Sequence, residues 1–333
     1  MEFTMIKQIL TSTLAVATIS FATVTNANQA VEINETHPEP GTVEYTGPKY
    51  DFSKENDSFR VGFLPAESAA DELGRNACLS HYLQQALNVP APMFYFSEYS
   101  GVMEAALSGS MDYVWYGSSS FAGVYLENPD AMEPIITRMQ PSGDLGYYSI
   151  MISRADSGIN NLQDTAGKRM GFPSPNSTSG YLIPSIELPV ALNKEMKDHF
   201  STIEFAGDHQ LALQGVLKGD YDIAHVWVSG VGEWSEGYTS GALRKAVDKG
   251  SLNMDDIQQI WSSKLIPNGP IAVRKAISQE AKDTVLGMHK WIHENDPRCD
   301  YNVANGQVRD WVPVDIDFYD SIIKARKAKL EKN

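Results

Sequence analysis

Three small hydroxyl side chains stand side by side between prolines in the stretch PSPNSTSGYLIP, residues 173–184. Ser177, Thr178 and Ser179 follow a β-rich run and precede an apolar segment typical of a helix. The first turn of a helix offers free N–H groups and the positive end of the helix dipole, so hydroxyls placed there favour an anion. Helix capping alone, the alternative, needs only one such hydroxyl. The cluster therefore predicts a site for a tetrahedral oxyanion.

A second hydroxyl-rich helix start lies in YGSSSF, residues 116–121, and also follows a predicted strand. Its Ser118 is a candidate ligand contact. Tyr99, Tyr116 and Tyr147 come near predicted strand ends, where each ring combines an apolar face with a phenolic hydroxyl. Packing in the core is the alternative for each tyrosine taken singly. Two hydroxyl-rich helix starts that face each other predict a clamp around one small ligand.

An internal repeat divides the chain into two similar halves. RVGF at 60–63 recurs as RMGF at 169–172, and each is followed by L-x-G-x-x-D, at 107–112 and 217–222. Short β-rich runs alternate with helical patterns in both halves, which is typical of βαβ units around a mostly parallel sheet. Ligands of such sheets bind at the carboxyl ends of the strands. The sequence thus predicts an α/β protein of two lobes with a ligand cleft between them.

The repeat also predicts how the chain is divided. We assign residues 58–148 to the first part of lobe 1, 149–256 to lobe 2, and 257–333 to a return into lobe 1 with C-terminal helices. Residues 28–57 contain several Glu and Pro but few clustered apolar residues, and are expected to form a flexible segment.

Residues 1–27 place a lysine before a short apolar run of small residues, as a cleavable signal peptide does. We expect export to the periplasm, with a retained membrane anchor as the alternative. An oxidising compartment would let Cys78 and Cys299 form a disulfide if the fold brings them together, and two unrelated thiols are the alternative.

Composition and motifs narrow the classes of function. The formal net charge of −15 argues against nucleic acid and anionic membranes as partners. The seven histidines are scattered, and H-E-x-x-H, C-x-x-C, G-x-S-x-G and a phosphate-binding G-x-x-x-x-G-K-[ST] loop are all absent. We therefore expect a binding protein without metal or cofactor. A secreted phosphoester or phosphonate hydrolase is the competing class.

The chain, from about Arg60 to Trp311, resembles the substrate-binding proteins of phosphonate and phosphite ABC transporters. The resemblance is carried by PNSTSG, SEYSGV, GYYS, GDHQLALQGVLKGDYDIA and WSSKLIPNGPIAVRK. It implies a type II periplasmic binding protein that closes two lobes over a phosphonate or phosphite and delivers it to a membrane permease. Such proteins are usually monomers, and we expect a monomer here. A ligand sensor for a receptor kinase would need the same closure and is the alternative role.

The resemblance also implies which side chains hold the ligand. The implied contacts to the oxyanion are Ser177, Thr178, Ser179 and His209, and Tyr99 and Tyr147 match further contacts of the ligand. His209 follows from the resemblance alone, since its own sequence context favours a surface or capping residue.

Two acids that members selecting 2-aminoethylphosphonate carry are missing, because Ser229 and Gly269 occupy the matching positions. We expect either a ligand without an amine or an amine that is bound differently. Trp227 could contact a cationic group through its ring, with core packing as the alternative. Glu67 and Glu98 could supply charge from the opposite side, with solvated loop positions as the alternative.

Overall fold

The computed structural model describes residues 37–332 and contains two α/β lobes, each built on a six-stranded sheet. In this range the strands are β1 (Val61–Phe63), β2 (Met93–Phe94), β3 (Tyr113–Trp115), β4 (Met132–Met139), β5 (Gly146–Arg154), β6 (Arg169–Phe172), β7 (Thr202–Phe205), β8 (Ile223–Val228), β9 (Ile257–Ser262), β10 (Ile266–Pro267), β11 (Ile271–Arg274) and β12 (Asp310–Pro313). The predicted two-lobed α/β architecture is confirmed.

Helices cover both sheets. They are α1 (Ala69–Arg75), α2 (Ala77–Leu87), α3 (Tyr99–Leu107), α4 (Ser118–Glu127), α5 (Ile183–Leu192), α6 (Met196–His199), α7 (His209–Lys218), α8 (Ala242–Asp248), α9 (Gln279–Asn295), α10 (Pro297–Ala304) and α11 (Asp320–Leu330). Within residues 37–332, no helix combines the length and the apolar character that a membrane span requires.

The two sheets share one plan. In lobe 1 the strand order is β12-β4-β11-β3-β1-β2, with β2, β1 and β3 parallel and the other three added antiparallel. In lobe 2 the order is β10-β5-β8-β6-β7, with β7, β6 and β8 parallel, while β9 also pairs with β5. Each parallel trio therefore points its carboxyl ends at one edge of its sheet, where ligands of such sheets bind.

A pair of ion pairs explains the sequence repeat. Arg60, at the start of the first RVGF strand, binds the fully buried carboxylate of Asp112 through its Nε at 2.7 Å. Arg169 and Asp222 repeat the contact in lobe 2, where the terminal guanidinium nitrogen lies 2.8 Å from the carboxylate. In both copies the carboxylate also accepts the backbone N–H of its arginine. The repeated motifs thus join the first strand of each parallel trio, β1 or β6, to the turn before the third, β3 or β8.

The crossovers between the lobes differ from the predicted boundaries of 149 and 257. Lobe 2 begins with β5 at Gly146, and the chain leaves it only after β10. The strand β9 was expected to lie in the return to lobe 1, but it pairs antiparallel with β5. The boundary at 257 is therefore wrong by about one strand pair, because local sequence does not show which sheet an edge strand joins.

The predicted flexible segment 28–57 is wrong for its second half. Tyr45 and Phe52 are 3% and 0% exposed and belong to the core of lobe 1. Tyr45 packs edge-on against Trp291 at 4.7 Å, and the carboxylate of Glu55 accepts hydrogen bonds from Ser278. A few isolated aromatic residues suffice to anchor this segment. Residues 1–36, with the predicted signal peptide, lie outside the described residues.

The question of the two cysteines is answered by the fold. Cys78 on α2 and Cys299 on α10 form a disulfide, with their Cα atoms 5.9 Å apart. Next to it, Asp296 caps α10 through the N–H of Cys299 and accepts the hydroxyl of Tyr82. The disulfide ties an early helix of lobe 1 to the part of the chain that returns to it.

Candidate ligand-binding site

A cavity lies between the two lobes and is lined by both of them. Eight of the nine predicted ligand-binding residues line it: Tyr99, Tyr116, Tyr147, Ser177, Thr178, Ser179, His209 and Trp227. They come from elements as distant as α3 in lobe 1 and β8 in lobe 2. The fold therefore brings together residues that lie far apart in the sequence.

Ser177, Thr178 and Ser179, here called the hydroxyl cradle, follow β6 and open a π-helical turn, Thr178–Leu182, that leads into α5. They are 3%, 1% and 2% exposed. The Ser177 hydroxyl accepts the backbone N–H of Gly180 at 2.9 Å, so this residue is the helix cap. Thr178 and Ser179 do not act as that cap, and three buried hydroxyls exceed what capping needs.

The cradle is joined directly to lobe 1 at the start of α4. The Thr178 hydroxyl accepts the backbone N–H of Ser119 at 2.7 Å. Ser118 donates its hydroxyl to the carbonyl of Pro267 at 3.1 Å and lies 3.4 Å from the Thr178 hydroxyl. Ser118 was expected to contact the ligand but does not line the cavity, because its hydroxyl is used in this contact between the lobes.

Neutral phenols complete the wall of the cavity. Burial raises the pKa of Tyr99, and hydrogen bonding to Ser177 offsets this only in part. Burial also raises the pKa of Tyr147, against the opposing effect of its hydrogen bond to Ser179. Tyr116 is buried too, with a raised pKa and a hydroxyl that has no partner among residues 37–332. These groups remain protonated at neutral pH and can donate hydrogen bonds.

His209 is the first residue of α7 and lies beside the cradle. Its Nε2 is 3.2 Å from the Ser177 hydroxyl, and its Nδ1 has no partner among the described residues. Burial, together with the positive charge of Lys245, lowers the pKa of His209 to about 3. The ring is therefore neutral, with one nitrogen that donates a hydrogen bond and one that accepts, rather than carrying a charge. The family resemblance implied that His209 contacts the oxyanion, and the structure places His209 in the wall of the cavity.

Two charged residues of the cavity were missed by the sequence reasoning. Arg138, near the end of β4, is 6% exposed and places its guanidinium 4.5 Å from the ring centre of Trp227. Glu72, on α1, has one carboxylate oxygen without a partner in the described part of the chain, and burial raises its pKa. An arginine inside the apolar run PIITRM was the available signal for the first residue.

The two acids proposed earlier to meet an amine have other environments. Glu98 is exposed and accepts the hydroxyl of Ser100. Glu67 is 2% exposed and pairs with Arg75 at 2.8 Å and with Lys249 at 2.5 Å. Burial alone would raise the pKa of Glu67, but the surrounding cations hold it to about 2. Its charge is therefore already neutralised by the protein.

Gly269 and Ser229, which stand where acids were expected for an aminophosphonate ligand, differ in their position relative to the cavity. Gly269 lines the cavity, and a Cβ there would lie 1.8 Å from the carbonyl oxygen of Tyr116, so the backbone leaves no room for a side chain. Ser229 does not line the cavity, since its hydroxyl contacts the hydroxyl of Thr239 at 3.0 Å. An acid at position 269 therefore requires a shift of the backbone.

Two α/β lobes with buried hydroxyls in the cleft between them define a two-lobed substrate-binding protein. The family described as "ABC transporter, phosphonate, periplasmic substrate-binding protein" matches residues 61–317. This chain belongs to that family, which is one of transport proteins rather than of enzymes.

Relatives and solved structures agree with this assignment. The chain is 27% identical over 241 residues to the phosphate-import protein PhnD of Mycolicibacterium smegmatis, covering 70% of this chain and 71% of that one. It is 28% identical over 208 residues to the phosphonates-binding periplasmic protein of Escherichia coli, and the match covers 61% of this chain and 56% of that one.

Among solved structures, a binding protein of an ABC phosphonate transporter from Pseudomonas aeruginosa matches with a TM-score of 0.69 at 23% identity, over 82% of this chain and 86% of that one. PhnD1 of Prochlorococcus marinus, solved with methylphosphonate, matches with a TM-score of 0.67 at 19% identity, over 83% of this chain and 99% of that one. These two structures have the same fold.

Proposed function

We propose that this protein captures a phosphonate or phosphite between its lobes and delivers it to the permease of an ABC transporter. The observation that carries the proposal is the hydroxyl cradle, buried at a helix start and flanked by neutral donors from both lobes. In this proposal Ser177, Thr178, Ser179 and His209 hold the oxyanion, Tyr99 and Tyr147 close over it, and Tyr116 and Trp227 form the remaining wall.

Local donors explain how an acidic protein can hold an anion. The net charge of −15 repels anions at long range, but backbone N–H groups and the helix dipole act within one turn. The cradle hydroxyls, the neutral imidazole of His209 and the neutral phenols add donors without introducing charge that would need a partner when the site is empty. Such a site can accept a phosphonate and release it to the permease.

Binding is coupled to closure in this mechanism. The N–H of Ser119 in lobe 1 meets Thr178 of lobe 2, so the cradle is complete only when the lobes are together. A ligand that contacts both lobes stabilises the closed form by its difference in affinity for the two states. The permease then recognises the closed protein. No cofactor takes part in these steps.

We further propose that residues 1–27 are removed as a signal peptide and that the mature protein acts as a monomer in the periplasm. The disulfide between Cys78 and Cys299 agrees with an oxidising compartment. A receptor-kinase sensor would close in the same way, and co-purification with a permease would distinguish transport from sensing.

Calorimetric titration of the mature protein, freed of bound ligand, tests this function. The ligands are methylphosphonate, phosphite, 2-aminoethylphosphonate, phosphate and methanesulfonate. We expect tight binding of at least one phosphonate or of phosphite, and none of the sulfonate. Binding of phosphate alone, of sulfonate as tightly as phosphonate, or of none of the five would contradict the proposed function.

A further inference from the structure

Arg138 carries a buried positive charge that the oxyanion cradle does not explain. Its guanidinium lies between two indole rings, 4.5 Å from the centre of Trp227 and 5.7 Å from that of Trp115. Trp227 belongs to lobe 2, whereas Arg138 and Trp115 belong to lobe 1. Closure of the lobes therefore encloses this cation between aromatic walls.

The protein holds the guanidinium in place without neutralising it. Its Nη1 donates to the carbonyl of Ala304 at 2.8 Å, and its Nε reaches the side-chain oxygen of Asn268 at 3.4 Å. Both acceptors are uncharged, and no carboxylate between residues 37 and 332 forms an ion pair with Arg138. Burial lowers the pKa of Arg138 to about 10, so the side chain is still protonated at neutral pH.

Glu72, the acidic residue that lines the cavity, does not serve as a counter-ion for Arg138. Glu72 interacts with Lys245 and Arg75, and its carboxylate accepts from the amide of Asn76 at 3.3 Å. A buried cation without a counter-ion is costly, and proteins usually provide one. Here the counter-ion must come from the molecule that fills the cavity.

The phosphonate group already has its own partners. The three hydroxyls of the cradle, the phenols of Tyr99 and Tyr147 and the imidazole of His209 line the cavity together. Arg138 approaches this set through Tyr147, with which it interacts electrostatically and whose ring is in edge contact with that of Trp227 at 5.9 Å. The guanidinium nitrogen Nη2 has no hydrogen bond to the described residues, and Arg138 lines the cavity together with Asn305. A planar guanidinium edge suits a carboxylate.

We propose that Arg138 is a second anion-recognition point, and that the preferred ligands are phosphonates that also bear a carboxylate. This inference rests on the proposed function, since it requires the phosphonate end to occupy the cradle. The carboxylate then lies at the Trp115–Trp227 end of the cavity and neutralises Arg138 when the lobes close.

Calorimetric titration with phosphonoacetate and ethylphosphonate tests the inference, because these ligands differ at the end that Arg138 would bind. For the wild-type protein we expect phosphonoacetate to bind at least tenfold more tightly. For Arg138→Gln we expect this ratio to fall close to one, and for Arg138→Lys, which keeps the charge but not the planar fork, an intermediate ratio. Thermal unfolding of each variant checks that the fold is retained.

A cradle variant separates the two proposals. Thr178→Val is expected to weaken both ligands by the same factor and so to leave the ratio unchanged. Equal wild-type affinity for the two ligands would overturn the inference while leaving the proposed function intact. An equal loss of affinity for both ligands in Arg138→Gln would also overturn the inference and leave the proposed function intact. Failure of the wild-type protein to bind either ligand would overturn the inference, and failure to bind methylphosphonate and phosphite as well would overturn the proposed function.

Discussion

The hydroxyl of Thr178 accepts a hydrogen bond of 2.7 Å from the backbone N–H of Ser119. Thr178 opens the π-helical turn of lobe 2, and Ser119 lies in the first turn of α4 in lobe 1. The contact is buried, with both residues at most 1% exposed. Separation of the lobes at this point must break the bond, so the described structure is a closed form of the protein.

Replacing this threonine by valine tests the cradle. Thr178→Val keeps the shape of the side chain but removes the hydroxyl, which leaves the N–H of Ser119 and one oxygen of the ligand without a partner. We expect methylphosphonate to bind more weakly by about 1–3 kcal/mol, or roughly 5- to 150-fold. Calorimetric titration measures the loss.

The matched control is Thr202→Val, at an exposed position on β7 of the same lobe. It should bind methylphosphonate like the wild-type protein. Unchanged affinity in Thr178→Val would mean that the buried hydroxyls serve only the helix start.

A second set of contacts joins the lobes between α8 and the region of α1. Lys249, at the end of α8, lies 2.5 Å from Glu67 and 2.8 Å from Asp71 of lobe 1. Lys249→Ala removes both ion pairs and should shift the protein toward the open form. Because Lys249 is partly exposed, we expect a loss of about 1 kcal/mol, or roughly fivefold in methylphosphonate affinity.

Small-angle scattering of the ligand-free protein gives an independent measure, and the radius of gyration should increase in this variant. Lys275→Ala is the control, since Lys275 pairs with Asp130 at 2.7 Å within lobe 1. An equal effect of both substitutions would show that loss of surface charge, rather than the contact between lobes, is responsible.

The low pKa of Glu67 predicts how stability depends on pH. Its folded pKa of about 2 lies below its ordinary value of 4.5, so folding favours the ionised form. The stabilisation is fully present above pH 4.5 and is lost as the pH falls toward 2. We expect a contribution on the order of 2 kcal/mol.

Thermal unfolding between pH 6 and pH 3 measures this contribution. The loss of stability on acidification should be smaller in Glu67→Gln than in the wild-type protein. Glu98→Gln, at an exposed site, should follow the wild-type curve. If Glu67→Gln and the wild-type protein lost stability in parallel, another carboxylate would be the source.

The sequence predicted the two lobes because the repeat reflects a local and repeated structure, the pairs Arg60–Asp112 and Arg169–Asp222. The hydroxyl cradle was also predicted, since its residues are contiguous and their chemistry depends on the helix that they open. Features that depend on contacts between residues far apart in the sequence were not predicted. The pairing of β9 with β5 is one example.

Arg138 is the clearest example of a site residue that the sequence did not predict. Its role depends on Trp115, Trp227 and the carbonyl of Ala304, which lie from about 20 to more than 160 residues away in the chain. An arginine in a strand is usually placed at an exposed edge. Only the closed arrangement of the lobes shows that this one is enclosed in the cavity without an acid beside it.

A crystal structure of the mature protein with methylphosphonate would show directly whether the hydroxyl cradle holds the phosphonate group. We predict the phosphorus inside the interlobe cavity, with phosphonate oxygens in hydrogen-bonding distance of Ser177, Thr178 and Ser179 and the two lobes closed as in this structure. A ligand bound outside the cavity, or bound within it but away from these three hydroxyls, would show that the hydroxyl cradle is not the phosphonate site.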